Sequence, residues 1–381
     1  MRLNKVWGYN LLVRIFLFIL LFPISASTSV LNDVLINGFA STGFSRSDSS
    51  IVYGEGIKNK NNFVTGTKAG VSISNQFSNE IDFYLGITAD AQINEKMEAE
   101  VDTVQVRWTL NSKNNIRFGK IRMPTWLFSE FLLISALYPW VRPPEVVYNS
   151  QPLRTFTGLS YTKRFEVNNW SINSDLFYGT STTNRLFFGS QTTADIDSIY
   201  GLTVRTNYND FQFNLSHVRS NAIVNVYTTV DSGVSTSAGN VQTQIRTPVN
   251  LGRIQTYIAG LKYDGPRLYF ASEFVVIKSS NSTQLTSNHA GYYTLGTYFN
   301  SKNFLAHTTF TKTYKAENNV AAFAGTQESI QFGLNYYHSP NLVFKSDWQR
   351  VNPAGNGKGE FQTNPGTDPV NIWAVSVATA F

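Results

Sequence analysis

The feature that most limits this chain is short-range alternation of apolar and polar residues. No apolar segment after residue 30 is long enough to cross a membrane as a helix. In Phe211-Gln212-Phe213-Asn214-Leu215-Ser216 every odd residue is apolar and every even one polar, and Ile81 to Thr88, Ile330 to Asn335 and Leu342 to Trp348 repeat the pattern. Period 2 marks a strand with one apolar face. The polar partners are Gln, Asn, Ser, Thr, Gly and Lys, which suit water better than a packed interior. A soluble sandwich also alternates, so periodicity alone leaves open whether the apolar face meets lipid or a second sheet.

Connection lengths separate the two. Strands are expected at about 34–44, 65–78, 81–90, 98–110, 114–121, 154–165, 169–179, 197–208, 211–220, 254–264, 267–278, 290–300, 303–313, 328–338, 340–350 and 370–381. Most have the roughly nine to eleven residues that a tilted strand needs to cross a bilayer. After even-numbered strands the gap is tiny, as at Asn79-Glu80, Asn209-Asp210 and Gly265-Pro266. After odd-numbered strands it is usually long, as at 45–64, 122–153, 221–253 and 351–369. Short turns on one rim and long loops on the other indicate a transmembrane antiparallel β-barrel of about sixteen strands, its termini on the short-turn, periplasmic side.

The amino terminus supplies an export signal. Arg2, Lys5 and Arg14 precede the apolar run Ile15 to Phe22, and the small residues Ser25 to Ser29 follow. Such a run is far shorter than the roughly 20 residues of a spanning helix, so residues 1–27 are expected to be a signal peptide and 28–381 the barrel. Cleavage removes three basic residues and no acidic one, so the net charge falls from +6 to +3. That residue of charge gives no reason to expect a nucleic-acid partner.

The chain offers little catalytic material. It has no cysteine and only 4 histidines, and it lacks the G-x-S-x-G, G-x-x-x-x-G-K-[ST] and H-E-x-x-H patterns. His217 and His338 continue apolar strand faces and are expected at the membrane interface; His289 borders a loop, and the facing of His307 is open. Glu98, Glu100 and Asp102 share a strand face near a rim, where solvation is the ordinary outcome and calcium or lipopolysaccharide contact the alternative. No enzyme activity and no cofactor are expected.

The carboxyl terminus, Trp373 to Phe381, sets Trp, Val, Val and the final Phe on one face. It resembles the closing strand of Gram-negative outer-membrane proteins, whose terminal aromatic, here Phe381, is read by the barrel-assembly machinery. With the signal peptide, the strand count and the long third loop, the chain resembles the porin superfamily. Arg122-Met123-Pro124-Thr125-Trp126 followed by Tyr138 to Tyr148 resembles a segment of porin-like proteins of gammaproteobacteria. The resemblance implies a bacterial outer-membrane location reached through the periplasm, contact with outer-membrane lipid and lipopolysaccharide, and a homotrimer. It also implies that the loop at about 122–153 folds inward to narrow the pore.

The residues expected at that constriction are Arg122, Glu130, Arg142 and Glu145 on the loop and Lys68, Arg107 and Arg117 on the wall. Arg107 and Arg117 have the opposite parity to Trp108 and Phe118, which places them in the lumen, facing Glu130 or Glu145 if the loop enters. A lipid-facing charge at mid-depth costs roughly 2–4 kcal/mol. The loop is also apolar at Trp126-Leu127-Phe128 and Phe131 to Leu137, either to pack on the wall or to handle amphipathic solutes. The function expected is a water-filled channel for passive diffusion of small solutes and ions. The alternatives are a selective channel for amphipathic or anionic solutes and a non-conducting receptor or adhesin using 180–196 and 221–253.

Overall fold

A computed structural model describes residues 34–381 except 55, 91–96, 150–152, 188–189, 237–238, 282–286, 318–324 and 356. The expected signal peptide lies outside the described residues. Sixteen strands follow in order: β1 Val34–Ser47, β2 Lys68–Gln76, β3 Ile81–Asp90, β4 Glu98–Asn111, β5 Asn114–Arg122, β6 Thr155–Val167, β7 Trp170–Phe187 and β8 Ser190–Tyr208. Then come β9 Phe211–Thr236, β10 Gly239–Asp264, β11 Leu268–Ser279, β12 Ser287–Phe299, β13 Phe304–Glu317, β14 Gln327–Ser339, β15 Leu342–Pro353 and β16 Val370–Ala380. Each pairs antiparallel with its chain neighbours, and β1 pairs with β16, so the sheet is a closed barrel. Closure leaves no strand edge, the condition for a β-structure to sit in lipid.

The alternation read in the sequence becomes the two faces of this wall. On β4, Val104, Val106, Trp108 and Leu110 are 36% to 49% exposed. On β9, Asn214, Ser216 and Val218 are buried while Phe213 and Leu215 point outward. The apolar residues are the ones left bare, the inverse of a soluble core and the pattern of a lipid-facing surface. Aromatic pairs gather beside the short turns: Trp170 stacks on Tyr208 at 4.5 Å and Phe299 on Phe304 at 5.2 Å. Asn168 and Asn209, with φ of 52° and 50°, supply the left-handed backbone of two tight turns, a conformation asparagine tolerates well.

At the seam, Gly38 and Phe381 exchange backbone hydrogen bonds of 2.7 and 2.9 Å. The Phe381 ring lies over Gly38, where any side chain would meet it.

Two expectations need correction. The segments 180–196 and 221–253 are not mainly loops: β7 runs to Phe187, β8 starts at Ser190, and β9 and β10 pair as far as Thr236 and Gly239. Their Thr and Val content favours strand, and a ribbon beyond the membrane needs no lipid face, so the transmembrane alternation fades there. Asp102 is not at a solvated acidic rim. A bulge between Gly86 and Ile87 leaves Asp102 as the extra residue of β4, and its side chain is buried. Among the described residues no group of acids and histidines could hold a metal ion.

Candidate functional site

The segment between β5 and β6 carries short helical turns at Ser129–Phe131, Ser135–Leu137 and Glu145–Tyr148. It lies against residues of lumen-facing parity. Trp126, Leu127, Phe128, Tyr138, Trp140, Val146 and Val147 pack on Ile258, Tyr269, Ala271, Val275, Tyr292 and Leu305 of β10 to β13. The apolar run that looked unusual for a loop in water is therefore mostly core, packed on apolar residues that the inner wall carries where the loop covers it. Leu137 is the exception and stays half exposed.

Polar side chains of the same wall hold the loop backbone. Asn214 and Ser216 of β9 each donate to the Thr125 carbonyl at 2.7 Å. Glu273 of β11 accepts from the Leu127 amide at 2.7 Å and from the hydroxyls of Tyr148 and Tyr292. The Trp140 indole donates to Thr294 at 3.1 Å and Thr309 at 2.8 Å, and Asn335 donates to the Pro139 carbonyl. Lys345 of β15 donates to the carbonyls of Ser135, Tyr138 and Trp140, and Asp347 accepts from the Val141 amide at 2.7 Å. A loop without regular structure has many backbone groups to satisfy, and here β9, β11, β14 and β15 supply partners. His307, whose facing was open, is buried in the lumen with Nε2 3.7 Å from Asp347.

The expected constriction residues divide into two groups. Lys68 is buried and donates to the Leu132 carbonyl and the Tyr138 hydroxyl. Arg122 pairs with Asp102 at 2.7 Å and donates to the Glu130 carbonyl. Arg142 pairs with Glu145 and with Gln349, while the Glu130 carboxylate pairs with Arg205 at 3.4 Å. Arg107 and Arg117 do not meet Glu130 or Glu145. They form a ladder along the wall, Arg107 with Asp82 at 2.8 Å and Arg117 with Asp175 at 3.3 Å.

The reason is height. Arg117 lies five residues before Arg122 in β5, about 16 Å along the strand, so the ladder sits nearer the short turns than the loop does. Burial raises the Glu145 carboxyl above its ordinary value, and Arg142 opposes that rise. Sequence reasoning missed Arg205, Glu273, Lys345 and Asp347. Lumen parity was readable for them, but what each holds was not.

The loops after β1 and β15 also fold together. Gly54 donates to the Glu360 carbonyl at 2.9 Å and Gln362 to the Val52 carbonyl at 2.8 Å. Tyr53, Ile57 and Phe361 are buried with Val351, Val370 and Ile372. Asn149 donates to Glu360 at 3.2 Å, which ties this pair of loops to the lumen segment. Burial lifts the Glu360 carboxyl to about 7, against the Asn149 bond and with help from Glu145.

No protein-family model matches the chain, and no curated sequence does. Solved structures do. OmpF of Salmonella typhi, in complex with daunomycin, superposes with a TM-score of 0.58 at 14% identity over 92% of this chain and 98% of that one. The trimer form of in-vitro-folded OmpT, an outer membrane protein of Vibrio cholerae, gives 0.56 at 10% over 91% and 99%. An anion-selective porin from Comamonas acidovorans gives 0.53 at 9% over 91% and 99%. At these identities the likeness is one of fold, and that fold is the porin-like outer-membrane barrel.

Proposed function

We propose that the protein is an outer-membrane diffusion channel for small solutes and ions, with segment 122–153 narrowing its lumen. One observation carries the reading: the lumen wall of β3 to β7 holds charges that satisfy one another, Asp82 with Arg107 and Arg117 with Asp175. Arg107 keeps half its side chain exposed. A ladder of paired charges on a wetted wall suits a passage for water and ions, and it orders solutes by charge and size. In this reading Lys68, Arg122, Glu130, Arg142 and Glu145 fix the loop and shape the opening, while Arg107 and Arg117 tune ion preference below it. Transport rather than catalysis is the role.

Residues 1–27 direct export, and Phe381 serves barrel assembly. The trimer form of the OmpT structure makes a homotrimer the reasonable assembly for this chain. A second reading, a closed receptor barrel, draws on the loops after β1 and β15, which fold together over buried Tyr53 and Phe361. Conductance of the purified protein in a planar bilayer separates them. Discrete current steps are the expected result; silence from protein that still shows heat-modifiable migration in SDS would favour the receptor.

A further inference from the structure

We propose that the outer wall carries a binding site for a lipid with two phosphate monoesters, the chemistry of a lipid A anchor, on the membrane face of β8 to β11. The proposal goes beyond the permeation reading and stands whether or not the lumen conducts. Strand pairing builds the site. Gln255 of β10 pairs with Arg219 of β9 on one side and with Lys278 of β11 on the other, so the three share one row. That row faces outward: Ser220, Thr256 and Ile277, of the opposite parity, are buried in the lumen, while Lys278 is exposed. With strands about 4.8 Å apart, Arg219 and Lys278 stand about 10 Å from each other. Arg253, two residues beyond Gln255 on the same face and exposed, completes a basic triangle.

Height puts these groups at the far boundary of the bilayer. Counted from the short turns, Arg219 is the ninth residue of β9, Lys278 the eleventh of β11 and Arg253 the twelfth of β10. A tilted strand spends roughly nine to eleven residues in crossing. Among the described residues, no carboxylate forms an ion pair with any of the three. Asp197, the extra residue of a β8 bulge beside Ser198, is exposed and makes no such pair. Lys312 is the contrast. It is the ninth residue of β13, exposed on the same outer face, and it pairs with Glu328 at 3.2 Å.

Beneath the basic row, toward mid-membrane, the wall has a hollow. Ala259 is its floor, set between Leu215 and Phe274 on the neighbouring strands, and Leu202, Tyr257 and Val276 border it. A small residue among large ones leaves a slot in which an acyl chain gains packing contacts. Single arginines and lysines at a membrane boundary reach for headgroups anywhere; three unpaired cations above a slot specify more. A phosphate monoester carries about −1.5 to −2 charge, so two of them balance the triangle, whereas a phosphodiester lipid leaves most of it unmatched. A second copy of this chain docking by the same face would set cations against cations.

Native mass spectrometry of the purified full chain in detergent tests this by titration with bisphosphorylated lipid A, its monophosphorylated form and phosphatidylglycerol. The bisphosphorylated lipid should bind most tightly. Loss of one phosphate should weaken binding about tenfold, as should Arg219→Gln or Lys278→Gln, the size of one charge-assisted hydrogen bond. Lys312→Gln makes the same charge change outside the triangle and should leave the affinity unaltered. Ala259→Trp fills the slot and should lower the affinity about threefold. Heat-modifiable migration of each variant checks its fold. Equal weakening by Lys312→Gln and Lys278→Gln would reduce the triangle to the general pull of a basic surface and overturn the site. So would phosphatidylglycerol binding as tightly as bisphosphorylated lipid A. Unchanged affinity in folded Arg219→Gln and Lys278→Gln, or in folded Ala259→Trp, would overturn it as well.

Discussion

The two halves of the inner wall use charge in opposite ways. On β11 to β15, Glu273, Lys345 and Asp347 are buried and hold backbone amides, hydroxyls and carbonyls of the inward loop. On β3 to β7, Asp82, Arg107, Arg117 and Asp175 hold one another, and Arg107 stays open to water. The first half is a clamp. A buried charge there is retained only because oriented loop groups replace its hydration, and loss of either side leaves polar atoms stranded. In the second half the Asp82–Arg107 pair is wetted, so its pairing is screened and adds little stability, while Arg117 and Asp175 beside it are more covered. The difference teaches where mutations should cost stability and where they should alter permeation.

The largest effect is expected on the clamp. Lys345→Met strands three loop carbonyls and leaves Asp347 without its neighbouring cation, so stability should fall by about 3 kcal/mol. Urea unfolding in detergent measures it. Arg107→Gln on the other wall should change stability by less than about 1 kcal/mol. Equal losses would erase the contrast.

Next comes ion preference. Replacing Arg107 and Arg117 by Glu places acids beside Asp82 and Asp175 and should move reversal potentials in a salt gradient toward cations. The shift should be largest at low ionic strength, where screening is weakest. Arg117→Glu also faces the buried Asp175, so heat-modifiable migration must be retained for the comparison to count. An unchanged potential in folded, conducting protein would place the passage elsewhere.

The smallest effect is a pH dependence of the outer loops. Glu360 sits near 7 when docked against an ordinary 4.5, so the docked state binds the proton more tightly. Docking is then strongest below about 4.5, weakens as pH rises through the window to about 7, and is weakest above it. Because Glu360 is partly exposed, the change should be modest, about threefold in the docked population. A nitroxide at Gln362→Cys should be more mobile at pH 8 than at pH 5, and Glu360→Gln should remove the difference. Equal mobility at both values would show that Glu360 does not govern the contact.

The barrel was legible because lipid imposes a face on every crossing strand, and most strand bounds lie within a few residues of those read from alternation. The upper parts of β7 to β10 were not, since Thr-rich and Asn-rich ribbon beyond the membrane has the composition of loops. For the site, parity placed Lys68, Arg107 and Arg117 in the lumen, but their partners lie on other strands or on the loop. Lys345 and Trp140 are far apart in sequence and meet only through a fold that a single chain's pattern does not record. The apolar run Trp126 to Phe128 carried a signal, an excess of buried-type residues, without saying which wall would receive it.

The central claim is that water and ions pass along the β3–β7 wall and not along the clamp. The chain has no cysteine, so single thiols can be placed on each half without background. Arg107→Cys lies on the open ladder; Thr309→Cys lies on β13, where Thr309 is fully buried and accepts from the Trp140 indole. A water-soluble cationic methanethiosulfonate reagent should modify Arg107→Cys quickly and change the bilayer current at once, and should leave Thr309→Cys unmodified. Equally rapid modification of Thr309→Cys, or modification of Arg107→Cys with no change in current, would contradict the account.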